Sequence, residues 1–479
     1  MVGMLTQKTE QPPRALRRFS LPTQYTPKEG FDNRWVEIIW ASLSACHLLC
    51  LCYTFYLSAT SPFPESVYPM NSVWKNVTLW SLVLGHFCVD MLAGAMPIIV
   101  GLYLKDSLQL SLAQIGLLLA VYKLSASLTQ PFFGYLSDRY GGRWFAVGGV
   151  LWMALFQGAV GFMPTLSGAL VMGGLAGLGS AAFHPQGASG ANVAAGPANK
   201  TAGVALFMLG GNMGFAVGPI LAALVMGRAG PTGTALLAGI ALLIVPFLYA
   251  LTGQAQRKDA GAEKKAANWK IELNPLFSTA VIVSLILVMS LRAWSQESFS
   301  AFLPQFFVEI SNFSKTNASA LSSLMLLTVA FGSLAGGILA DRIGGVRVMV
   351  GAMLISAPLM LSMFLLGDWR AYVVAPFLGF ATGAAWPPML VLAQSLFPKN
   401  AGVGSGVALG FVFAMGGLGL NLTGWLAEPQ QLGLYTAMLL LSIIPIVTAL
   451  FALPLPSVSR TGLVVRQRVR PVVATTGSD

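Results

Sequence analysis

Charge is what this sequence has least of. Asp, Glu, Lys and Arg make up 9% of its 479 residues, against about 25% in soluble domains. A chain so poor in charge cannot cover a water-facing surface, so lipid must be its solvent over most of its area. Acid is scarcer than base: 17 acidic residues against 28 Lys and Arg give a formal net charge of +11. No basic groove with interleaved aromatics accompanies that excess, which argues against a nucleic-acid partner. Lys and Arg instead decorate loops on one side of a membrane. The four cysteines (Cys46, Cys50, Cys52 and Cys88) lie in apolar segments, without disulfide-framework or metal-ligand spacing. A phosphate-binding loop is absent, so direct ATP drive is unsupported. No catalytic triad stands out either. The chain is therefore not read as an enzyme, and neither a cofactor nor a metal is expected.

What is present is apolar sequence (55%) and glycine (52 residues). Apolar stretches near the ~20 residues needed to cross a bilayer recur along the chain. We expect spans near 78–103, 112–136, 144–163, 166–186, 201–227 and 232–252, then a polar stretch. Six more follow near 276–303, 318–340, 347–366, 370–396, 401–427 and 431–455. In lipid only helices and closed barrels satisfy the backbone, and these runs are too long for barrel strands. The expectation is an all-α polytopic membrane protein of two six-helix bundles, 78–252 and 276–455. A linker, 253–275, joins them, and a basic tail, 456–479, follows. The glycines fall inside the apolar runs, where small residues let helices approach closely.

The short loops divide by charge. One set holds Arg139, Arg143, Lys200, Arg257, Lys258, Lys264, Lys265, Lys270, Arg342, Arg347 and Lys399; the other holds only Lys105, Arg228, Lys315 and Arg370. The first set is expected in the cytoplasm, with both ends of the core. The extension, 1–77, carries a basic arm (Arg14, Arg17, Arg18, Lys28, Arg34) and an apolar run, 35–59. If that run spans, the arm lands on the wrong side for the charge bias. A thirteenth helix, an interfacial helix, or sequence upstream of a start at Met70 are the readings, with Met70 preferred.

A loop motif occurs twice. Gly134-Tyr-Leu-Ser-Asp138-Arg139-Tyr-Gly-Gly-Arg143 lies between spans two and three, and Gly337-Ile-Leu-Ala-Asp341-Arg342-Ile-Gly-Gly-Val-Arg347 between spans eight and nine. Parallel halves related this way mark a two-fold-repeat transporter. The glycines permit tight turns and close helix approach. Asp138 and Asp341 can pair with loop arginines or with a helix N-terminus of the other half, latching one side shut. The loop resembles the signature motif of the major facilitator superfamily, which implies two bundles around a central substrate cavity and a monomer. Gly214-x-x-x-Gly218-Pro219 in span five resembles the antiporter motif of drug-efflux facilitators; physically it is a close-packing face with a proline bend.

More closely, the chain resembles the fosmidomycin resistance protein family of bacterial efflux facilitators. The stretches that carry this are His86-Phe-Cys-Val-Asp90, Ala113-Gln-Ile-Gly-Leu117, Gln130-Pro-Phe-Phe-Gly-Tyr135, Phe183-His184-Pro185, Gly210-Gly211-Asn212 through Pro219, Leu291-Arg292-Ala-Trp294 and Val391-Leu-Ala-Gln394. The resemblance implies proton-driven export of small polar or amphipathic compounds from the bacterial inner membrane.

Few ionisable groups fall deep in the spans, and such groups face a cavity, a partner or a proton path. Asp90 lies ~18 Å into span one, with His86 one turn away on the same face. These two and His184 are the proton-coupling candidates; a structural ion pair for Asp90, and a structural histidine at a helix break before Pro185, are the alternatives. Lys123 sits at similar depth and is expected to pair with Asp90. The family has a neutral glutamine at that place, so Lys123 is a departure pointing to an anionic substrate or a fixed ion pair. Gln186 is a second departure, where the family has glutamate after the His-Pro pair. Arg292 keeps its charge and suits an anion clamp, or an anchor near the outer mouth. With Lys123 and Arg292, the cavity candidates are Gln130, Gln186, Asn212 and Glu297. Beyond the bilayer, the expected partners are protons and a small-molecule substrate. Export of a drug-like compound and import of an anionic nutrient both fit.

Overall fold

A computed structural model describes residues 75–140, 142–196, 200–259, 273–275, 277–397, 401–458 and 464–465. The extension with its 35–59 run, and most of the linker and tail, lie outside the described residues.

Among those residues the chain is helical from end to end. Ten helical stretches are long and apolar enough to cross a membrane. One of them, Ala202–Thr252, makes two crossings. It turns at Gly230–Gly233, where Gly230 takes a left-handed φ of 62° that glycine adopts without strain. The apolar stretch Gly410–Leu426, within the helix Ala401–Leu426, supplies one more. Twelve crossings result, at the places the apolar runs predict. Beyond the last, Ser457–Val458 pairs antiparallel with Val464–Val465, a small strand pair that the all-helical reading does not contain.

Several helices begin on a hydroxyl or amide cap. Asn76, Ser111, Thr165, Ser278 and Ser314 each accept a hydrogen bond from an N–H in the first turn of spans 1, 2, 4, 7 and 8. Each cap satisfies a donor that the helix itself leaves open. Span 1 is irregular at its other end. Pro97 lies inside it, Ile99–Leu104 is π-helical, and the Lys105 N–H reaches back to the Val100 carbonyl before a last turn, Lys105–Leu108.

The repeat seen in the loop motif extends to packing. Span 1 packs on 5 and 6, span 2 on 4, and span 3 on 4 and 6. Six spans later, 7 packs on 11 and 12, 8 on 10, and 9 on 10 and 12. Between the halves the main contacts are 2 with 11 and 5 with 8, again one relation used twice. Close approach rests on glycine. A Cβ at Gly210, Gly214 or Gly218 of span 5 would run into the carbonyls of Val83, Phe87 or Met91 of span 1. The Gly214–Pro219 motif is thus a backbone-to-backbone seam. Past Pro219, the Ile220 N–H finds its acceptor in the other half, at Ser323 Oγ (3.0 Å).

Gly214→Ala is expected to destabilise the folded protein by about 1–3 kcal/mol through overpacking, read as a lower melting temperature in detergent. Gly239→Ala, where a Cβ meets nothing within 4 Å, should leave it unchanged or raised.

Candidate functional site

Two polar clusters occupy the middle of the membrane layer. The first lies within the N-terminal half. Asp90 sits between two histidines: His86 Nε2 is 3.2 Å from one carboxylate oxygen and His184 Nε2 is 3.1 Å from the other. Each ring is anchored at its far nitrogen. His86 Nδ1 meets the Phe207 carbonyl at 2.7 Å, and His184 Nδ1 meets the Ser180 carbonyl at 2.8 Å. A carbonyl only accepts, so both Nδ1 atoms carry hydrogen and both Nε2 atoms are turned on Asp90. His86 is buried and stacks on Phe207, with ring centroids 4.0 Å apart. Gly211 of span 5 makes the room, since a Cβ there would meet His86 and Asp90 at once. Span 4 runs unbroken as Leu166–Ala195 through Pro185, so His184 is not at a helix break. These three side chains reach within 4.8 Å of one another and could offer ligand atoms to a metal ion, the one such group among the described residues. Their N–O separations are those of hydrogen bonds as they stand.

The second cluster joins the halves. Lys123 Nζ of span 2 lies 2.9 Å from a Glu297 oxygen of span 7, both part-buried. The expected pairing of Lys123 with Asp90 is therefore corrected. Asp90 is already held by two imidazoles, and Glu297 is the carboxylate at Lys123's depth across the gap. The Lys123 ammonium also lies 5.5 Å from the Phe215 ring centroid and 5.7 Å from that of Phe413, favourable distances for a cation beside aromatic faces. A small chamber opens here, bounded by Met96, Tyr122, Lys123, Phe215, Glu297 and Leu420 among others. Its walls come from spans 1, 2, 5, 7 and 11, and so from both halves. Gly416 of span 11 leaves room for the Glu297 stem, as Gly211 does for Asp90.

Arg292 is placed elsewhere. It is not at a mouth of the protein but at mid-span, its Nη2 donating to the Thr382 carbonyl (3.1 Å) with the guanidinium 4.9 Å from the Trp386 ring centroid. Gln130 donates within its own helix, to the Ala126 carbonyl (3.0 Å). Gln186 donates to the Ser137 hydroxyl, tying span 4 to the first loop motif. Asn212 is part-buried on span 5, next to Gly211. None of these four is among the residues that bound the chamber.

Among the described residues, Asp341 of the second loop motif forms no latch in this conformation. Arg143 donates to the Tyr249 carbonyl and lies over that ring at 4.1 Å, while Arg347 Nη1 donates to the Ile343 carbonyl (2.9 Å). Both steady nearby helix ends. Arg139 lies over the Tyr140 ring at 5.6 Å, and Arg342 is exposed. Asp341 is exposed and makes no ion pair with another described residue. The Asp138 side chain lies outside the described residues. A Cβ at Gly134 would meet nothing within 4 Å, and one at Gly337 only Pro387, so the close approach expected at these two glycines is absent. Charge joins the halves at the opposite face instead. There Lys105 pairs with Glu309, Lys315 with Asp106, and Glu428 accepts from the Ala113 N–H at the start of span 2 (2.6 Å).

The family model of the major facilitator superfamily matches residues 82–420 and 285–475. The chain belongs to this superfamily. It is 30% identical over 369 residues to the fosmidomycin resistance protein of Escherichia coli K12, covering 74% of this chain and 87% of that one. It is 25% identical over 353 residues to a probable nitrate transporter of Staphylococcus epidermidis, covering 71% and 84%. In fold it matches a bacterial homologue of the human lysosomal transporter Spinster, solved inward-facing and unoccupied. That match has a TM-score of 0.66 at 16% identity and covers 78% of this chain and 95% of that one. The protein is accordingly a multi-pass membrane transporter and not an enzyme.

Sequence reasoning placed Lys123 and Glu297 at depth but did not join them. A signal was there: a lysine and a glutamate on different apolar spans, at comparable depth, have each other as the cheapest partner. Phe215, Phe413 and Tyr122 carried no such signal.

Lys123→Gln or Glu297→Gln alone strands the partner's charge and is expected to cost about 1–3 kcal/mol, less than for a fully buried pair because both side chains are nearly a fifth exposed. The double variant should recover most of that loss. A double-mutant cycle on melting temperature checks the coupling.

Proposed function

We propose that this transporter is a proton-driven exporter of a small anionic or amphipathic compound, working by alternating access. The observation that carries the reading is the His86–Asp90–His184 cluster, with a chamber nearby that the Lys123–Glu297 pair spans from one half to the other. Four nitrogen–oxygen contacts surround that cluster, and each needs one hydrogen. Two imidazoliums around a carboxylate supply all four, with one net positive charge. Removing one proton leaves a nitrogen lone pair facing a carboxylate lone pair, and that contact must open. Proton loss is thereby converted into side-chain movement on spans 1 and 4, which are packed together.

Lys123 and Glu297 are the second part of the device. An anion entering the chamber competes with Glu297 for Lys123 and loosens the tie between the halves. Closure at the face of Lys105, Glu309, Asp106 and Lys315 gives one end state; a latch at the Asp138 and Asp341 motifs gives the other. By the positive-inside bias the motif face is cytoplasmic, so the conformation described here is closed to the outside. The proposal places it in the bacterial inner membrane as a monomeric carrier. Export draws on the likeness to the fosmidomycin resistance protein. Import of a small anionic nutrient is the second reading, favoured by the charge of Lys123 and by the likeness to a probable nitrate transporter.

In proteoliposomes containing pyranine, fosmidomycin addition is expected to evoke proton movement that Asp90→Asn abolishes. If Asp90→Asn leaves substrate-coupled proton flux intact, the cluster is not the proton carrier. Flux measured with the pH gradient imposed in each direction separates export from import. In a cysteine-free background, Lys105→Cys with Glu309→Cys is expected to cross-link on oxidation and halt transport until reduced.

A further inference from the structure

Arg292 has no role in the chamber, and it is the charge in the membrane layer that the cluster and the ion pair leave unexplained. It lies about 20 Å from the start of its span at 1.5 Å per residue, near the midplane. A guanidinium there is costly without a counter-charge. Lys123 has Glu297 and Asp90 has two histidines. Arg292 makes no ion pair with any described residue. One of its five N–H donors is spent, on the Thr382 carbonyl (3.1 Å). Its π-face is covered by Trp386.

Span 10 is broken just beyond that carbonyl, where the ring also sits. Pro387 and Pro388 interrupt span 10 between Ala371–Ala384 and Trp386–Ser395. Prolines lack the N–H that would close the preceding turn, so carbonyls at the end of the first segment are left to other donors. By the i to i−4 pattern those are the Gly383 and Ala384 carbonyls, and Arg292 donates to the Thr382 carbonyl just before them. Its side chain borders a small pocket bounded by spans 7, 9, 10 and 12 of the C-terminal half alone. Ser295, Gln296, Ser356, Thr382 and Thr448 contribute polar groups to this wall, and no acidic residue lines it. Ser295 is loosely held, its hydroxyl 3.5 Å from the Leu441 carbonyl and 4.0 Å from the Met360 sulfur, so it is free to turn toward a ligand.

We infer that this pocket is an anion site, separate from the chamber between the halves. It takes a group the size of a halide or a carboxylate, held by the Arg292 guanidinium with Gln296 and Ser295 as further donors. The ligand is a free inorganic or carboxylate anion, or the acidic end of a transported molecule. In either case it supplies a counter-charge in direct contact, where Glu297 acts on Arg292 only through space and is paired with Lys123. The inference rests on the placement of Arg292 and not on the direction of transport or on proton coupling.

Trp386 provides the readout. Iodide quenches tryptophan on contact, and an iodide on Arg292 lies beside this ring. Purified full-length protein in detergent, in gluconate buffer, is titrated with iodide. The expected result is a saturable quenching component over the linear collisional one. It should vanish in Trp386→Phe and in Arg292→Gln, weaken several-fold in Arg292→Lys, and persist in Lys123→Gln. Chloride and acetate should each displace it, which identifies a site for free anions; displacement by fosmidomycin but by neither of these assigns the site to a substrate's acidic end. Purely linear quenching in the wild type overturns the inference. So does a saturable component that survives Arg292→Gln or is lost in Lys123→Gln. Arg292→Lys, which keeps the charge, separates loss of the site from loss of the fold should Arg292→Gln fail to purify. Proton flux that survives Asp90→Asn would sink the proposed transport mechanism and leave this result standing.

Discussion

A charge in lipid must be compensated within the protein or by what the protein binds. That constraint organises the interior of this transporter. Asp90 is enclosed by His86 and His184, and Lys123 is met by Glu297. The backbone obeys the same rule: the N–H that follows Pro219 finds its partner on a span of the other half. The apolar surface needs no such specificity, because lipid serves it as well as a neighbouring helix does. Position is therefore set by polar pairs and by glycine seams.

The two halves differ in how they use a shared plan. The main helix packings repeat six spans later. The polar content does not repeat. The N-terminal half holds the histidines and their carboxylate. The C-terminal half holds Glu297, Arg292 and the broken tenth span. Their glycines match in purpose: Gly211 seats His86 and Asp90, Gly416 seats Glu297. Under the proposed mechanism, a common scaffold with unlike side chains lets one half respond to protons and the other to anions.

Much of the architecture was legible because lipid simplifies the problem. An apolar run of span length has one solution, and twelve such runs with a loop motif at matching places fix both helix count and repeat. The depths of Asp90, Lys123 and Arg292 followed from counting residues at 1.5 Å each. Pairings across the chain were harder. His86 and Asp90 share a helix face, so their contact could be read. Lys123 and Glu297 are 174 residues apart in sequence (297 − 123), and nothing in local periodicity says which way each helix is turned. The same ignorance of helix rotation set Arg292 at the outer mouth as one alternative, and left Gln130, Gln186 and Asn212 as cavity residues when none of them bounds the chamber.

The π-helical stretch Ile99–Leu104 in span 1 carries one residue more per hydrogen-bonded ring than the helix before it. One residue corresponds to about 100° of rotation in an α-helix. Everything beyond that stretch is therefore turned by roughly a quarter-circle relative to a regular continuation of the same span. Lys105 faces Glu309, and Asp106 faces Lys315, because of that extra residue. Were the helix to relax to regular winding there, the closing charges would sweep away from their partners without either half moving as a body. The far face can thus be unlocked by a change of winding inside one helix as well as by rocking of the two halves.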